Sequence, residues 1–82
     1  MGRREMHIYG YQDAGRPLGA VDPALLAEIT LNATPDELRA LAEFLRACAD
    51  EMDRMGEDFS HVHLSDRLKQ FEGSPHFVVA RG

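Results

Sequence analysis

Cysteine is nearly absent from these 82 residues, and so are long apolar runs and any excess of positive charge. The lone Cys48 cannot close an internal disulfide, on which secreted domains of this size usually depend, so a reducing, cytoplasmic setting is expected. No apolar run approaches the roughly 18 residues of a membrane span, and no membrane partner is expected. Met1-Gly2-Arg3-Arg4-Glu5-Met6-His7 leads into no apolar stretch of the secretory kind, and residues 1–5 are expected to be disordered. Nine basic residues against fourteen acidic ones argue against nucleic acid as a ligand, because such binding rests largely on phosphate neutralisation. A phosphate-cradling loop is also missing: Gly15-Arg16-Pro17-Leu18-Gly19 has neither the spacing nor the Lys-Ser/Thr ending. A chain this short buries only about 60–65% of its unfolded surface, enough for one thin core. Two lobes closing on a cofactor do not fit, and neither a cofactor nor a self-contained active site is expected.

What is present is an ordinary globular composition, 44% hydrophobic and 28% charged, with a net charge of −5. The charge is uneven. Residues 25–55 hold seven acidic side chains and three basic ones, whereas residues 1–24 balance and residues 56–82 nearly do. An acidic central segment can steer a basic partner.

The chain reads as a single small domain, 1–82. Met6 to Tyr11 has strand character, with Met6 and Ile8 on one face and His7, Tyr9 and Tyr11 on the other. Gln12 to Pro23 is a loop by its Gly and Pro content. Leu25 to Ala33 alternates, with Leu25, Ala27, Ile29, Leu31 and Ala33 facing one way, and is expected to form a second strand antiparallel to the first.

Thr34-Pro35-Asp36-Glu37 is a helix start. Thr34 caps, Pro35 suits the first helical position, and Glu37 completes a capping box at the positive dipole end. Leu38, Leu41, Leu45, Cys48, Met52 and Met55 then recur at helical spacing with Phe44 on the edge, an arc of about 160°. Arg46, Asp50 and Arg54 are spaced to pair on the opposite side, and Gly56 ends the helix. Phe59, Leu64, Leu68 and Phe71 are expected to tuck under the helix or the sheet edge, the last three in a short helical turn. Glu72 to Pro75 is a turn, and His76 to Ala80 a final strand with Phe77 and Val79 inward and Val78 outward. The expected fold is α+β, in the order β-β-α-β, with one long helix packed on one face of a three-stranded sheet. The other face would show Tyr9, Tyr11, Leu26 and Val78, either as an open surface suited to a partner or to a homodimer, or covered by the N-terminal loop or the 57–72 segment.

Chemistry-bearing groups are few. His61-Val62-His63 would point two imidazoles the same way in an extended segment, with Asp58 and Asp66 near in sequence. Such a set can hold zinc, but these carboxylates would sit in a loop, and a structural role for the imidazoles is the plainer reading, with no metal assigned. Asp58, Ser60 and His61 are too close in sequence to converge as a nucleophilic triad. Cys48 lies on the apolar stripe and reads as core.

Leu26 to Leu38, continuing through Leu41, Phe44-Leu45 and Cys48-Ala49, resembles a family of small bacterial immunity proteins of polymorphic toxin systems, immunity protein family thirty-two. Phe59-Ser60-His61-Val62-His63-Leu64-Ser65-Asp66 and Gly73-Ser74-Pro75 before a β-rich run add to the likeness, which covers roughly Leu26 to Ala80. The resemblance implies a protein without catalysis that binds a cognate toxin domain and blocks it. An acidic surface would speed association with a basic toxin such as a nuclease, and tyrosines make good interface anchors. Tyr9, Tyr11, Asp50, Asp58, His61, His63 and Asp66 are the expected partner-binding residues.

Overall fold

The structure, a computed structural model, describes residues 6–12 and 23–82. The disorder expected at residues 1–5 and most of the expected loop, residues 13–22, lie outside them. The chain divides into two units, one within residues 1–31 joined by Gly82, the other spanning 32–81.

In the first unit β1 (Tyr9–Gly10) pairs antiparallel with β2 (Ala24–Leu25), with Tyr9 opposite Leu25 and Gly10 opposite Ala24. The ladder continues one bond further, from the Leu26 N–H to the Ile8 carbonyl at 2.7 Å. A Cβ at Gly10 would stand 2.9 Å from Leu26 Cδ1, so any larger residue there would have to displace the tip of that side chain.

The second unit is built on α1 (Pro35–Met55), whose ends are fixed locally. The Glu37 N–H donates to Thr34 Oγ1 at 3.1 Å and the Thr34 N–H to Glu37 Oε1 at 2.8 Å, so the capping box forms as expected. At the other end Gly56, at φ 59° and ψ −131°, donates its N–H to the Met52 carbonyl. It is the one described residue with positive φ, a conformation that glycine adopts without steric cost. A 3₁₀ turn (Gly56–Asp58) leads to β3 (His61–His63), α2 (Leu64–Arg67), a second 3₁₀ turn (Lys69–Phe71) and β4 (Val78–Ala80). β3 and β4 pair antiparallel, with His61 opposite Ala80, Val62 opposite Val79 and His63 opposite Val78.

The core is small: Phe44 and Cys48 from α1 meet Phe59, Leu64 and Phe71, with Leu41, Met52, Val62, Leu68, Phe77 and Val79 half-buried around them. The tuck of the 59–71 segment under the helix is as expected, and so is the inward turn of Phe77 and Val79 with Val78 outward.

The fold is α+β, but the three-stranded sheet is corrected to two separate two-stranded ones. Past Leu25 no residue before the helix is in a strand, and Leu25, Ile29 and Leu31 are 63%, 45% and 50% exposed. Alternation makes a segment eligible for a strand; a ladder also needs an edge of matching length, and two-residue β1 offers none. The helix finds its sheet instead in β3 and β4. The expected stripe is also rotated. Phe44, assigned to the edge, is at the buried centre, while Leu38, Leu45 and Met55 are exposed. Tyr9 and Val78 therefore belong to different sheets, not to one open face.

Candidate functional site

The pairing of β3 with β4 decides which way its side chains point. Val62 and Val79 face the core, so His61, His63, Val78 and Ala80 share the outward face. His76 joins them from the diagonal position before β4, a separation within reach of ring side chains. The His61 and His63 ring centres are 5.5 Å apart at 69°, and those of His63 and His76 are 5.9 Å apart at 86°. Both are edge-to-face contacts of the kind aromatic rings favour. His61 Nδ1 also lies 3.0 Å from Ser60 Oγ, with both residues exposed. His76 was not singled out as a site residue by its sequence neighbourhood. The signal available was its parity with Val78 on the last strand, which becomes useful only once β3 is known as the partner.

Asp58 ends the first 3₁₀ turn and Asp66 lies in α2. Neither completes a set with the imidazoles: among the described residues no three His, Cys, Asp or Glu are grouped to hold a metal ion. Asp50 is exposed on α1, and the expected pairs with Arg46 and Arg54 do not form. The ion pair α1 makes on its outer side is Arg39–Asp36 at 2.8 Å, between exposed side chains that gain little from it. Tyr9 and Tyr11 are exposed in the first unit, with the His7 ring 6.3 Å from that of Tyr9.

One polar contact was missed at the sequence level. Arg67 Nη1 and Nη2 each donate to Glu51 at 2.8 Å, a two-pronged bond that ties α2 to α1 across 16 residues. The hydrogen bonds from Arg67 hold the Glu51 carboxyl below its usual range, and Arg67 is raised in turn. Among surface-coloured carboxylates, Glu51 is thus a structural one. Nearby, burial first and the Glu51 charge second push the Cys48 thiol up, with Arg67 opposing. A buried thiol so protonated is core, not a nucleophile.

The described residues thus bring together a histidine row on the outward face of β3 and β4, an acidic helix and two exposed tyrosines in a small α+β protein. Residues 28–82 match the family Immunity protein 32. The chain belongs to that family. No curated protein and no solved structure gives a significant match. No helix among the described residues is long and apolar enough to cross a membrane.

Proposed function

We propose that the chain is a cytoplasmic immunity protein that neutralises a cognate toxin domain by direct binding, with no catalysis of its own. The observation that carries this reading is membership of the family over residues 28–82, a span that takes in α1 and both strands of the β3–β4 pair. The surface chemistry supports it. Tyr9 and Tyr11 are large amphipathic side chains already exposed, the kind of residue that anchors interfaces. His61 and His63 present a ring-lined patch on β3, Asp58 and Asp66 flank β3 in the chain, and Asp50 adds charge on the helix. An excess of acidic side chains suits a basic toxin and quickens encounter with it.

The test is co-expression with the product of the adjacent upstream gene, followed by calorimetric titration of the two purified proteins. Growth protection and a stable one-to-one complex are expected. Toxicity undiminished by the chain, with no heat of binding, would remove the proposal.

A further inference from the structure

Between α1 and α2 lies a shallow open groove of about 250 Å³, lined by Ala40, Glu43, Phe44, Ala47, Arg67 and Leu68. Its origin is a gap in side-chain size. Ala40 and Ala47 are seven residues apart on one side of α1 and carry only a methyl each, so the helix surface dips there, with Leu68 alongside and the buried Phe44 also lining the dip. On the far wall both terminal nitrogens of Arg67 are held by Glu51, which keeps the guanidinium turned to that partner. The volume is below the range of drug-sized ligand sites. It exceeds the roughly 150 Å³ that suffices for a benzene ring, and so suits one apolar side chain.

The groove has a charged rim on one side. Asp36, Glu43 and Asp50 recur every seven residues, and so fall along one side of α1 at intervals of about 10.5 Å. Arg39 engages Asp36, whereas Glu43 and Asp50 carry no ion pair. An occupant must satisfy both features, an apolar pit and an uncompensated carboxylate beside it. A second copy of the chain, with its net charge of −5, would bring like charge toward that rim.

We infer that this groove is the docking site for a basic segment of the cognate toxin, which seats an apolar side chain between Ala40 and Ala47 and a neighbouring Lys or Arg on Glu43. The inference rests on the toxin-binding reading and gives it a location. The groove lies within the second unit and inside the residues shared with the family.

The test uses this chain and the product of the adjacent upstream gene, with three variants. Ala47→Trp fills the pit, Glu43→Lys reverses the rim charge, and Asp53→Lys makes the same charge change on another side of α1. Glu43 and Asp53 are exposed, so their variants retain the fold, and the thermal midpoint of each protein verifies it. Ala47→Trp is expected to weaken binding about 100-fold and Glu43→Lys about tenfold, with loss of growth protection, whereas Asp53→Lys stays within about threefold. If the native chain protects and both groove variants bind as tightly, the groove is overturned and toxin binding elsewhere stands. If the native chain neither binds nor protects, the toxin-binding reading falls and takes the groove with it. Should light scattering give a dimer for the native chain and a monomer for Ala47→Trp, the occupant is a second copy, which also overturns the proposal.

Discussion

Replacing Phe44 and Leu45 by alanine, one at a time, asks which way the long helix faces. The sequence stripe runs through Leu45 and leaves Phe44 at its edge; the structure buries Phe44 to 4% exposure and leaves Leu45 at 42%. Phe44 is one of five residues that make the buried core, so its truncation leaves a ring-sized void among Cys48, Phe59, Leu64 and Phe71. Substitutions of that kind lose about 3–5 kcal/mol. A chain of this length has a total stability of only about 4–12 kcal/mol, so Phe44→Ala should remove a large share of it. Leu45→Ala deletes atoms already facing water and should lose about 1 kcal/mol or less. Urea unfolding followed by circular dichroism at 222 nm reads both. The expected result is a large fall in midpoint for Phe44→Ala with the slope unchanged, and a small one for Leu45→Ala. Equal losses, or a larger one for Leu45→Ala, would refute the helix orientation and with it the groove beside Phe44.

Four further outcomes follow from the same geometry. Thr34→Ala should destabilise by about 1 kcal/mol in the same urea assay, through loss of the cap to Glu37. Gly56→Ala should lose about 1–3 kcal/mol from backbone strain alone, since an added Cβ there would meet nothing within 4 Å. Glu51 is held below its ordinary 4.5 by Arg67, so the pair contributes stability above that value and loses it as pH falls through the depressed one. Arg67→Ala should therefore lower stability at pH 7 and flatten the acid limb of a stability-versus-pH curve; an unchanged limb would exclude the pair as its cause. Cys48 should react with a thiol reagent far more slowly in the native chain than in urea, because it is 1% exposed and its thiol is pushed up.

The parts of the fold that the sequence announced are those with local causes. Thr34, Pro35, Glu37 and Gly56 set the limits of α1 through bonds spanning three or four residues, and each limit falls where those residues put it. The inward and outward faces of residues 77–79 were likewise legible from alternation. Alternation misled at residues 25–33, because it cannot report whether an edge is available to pair with. The reverse failure occurred at His61-Val62-His63, three residues too polar to announce a strand, whose partner lies 15 or more residues downstream. The candidate surface followed the same division. His61 and His63 could be read as a pair, but His76 enters through a cross-strand diagonal and Glu51–Arg67 through helix packing, and no spacing in the chain signals either.

The capping box has a consequence for how this chain can vary. Thr34 and Glu37 complete one another, so the helix start draws on nothing upstream of Thr34. That start lies three residues past the last residue of the first unit, and the family match opens only at residue 28. A substitution upstream of Thr34 therefore leaves both bonds of this cap in place, and the helix keeps its starting point.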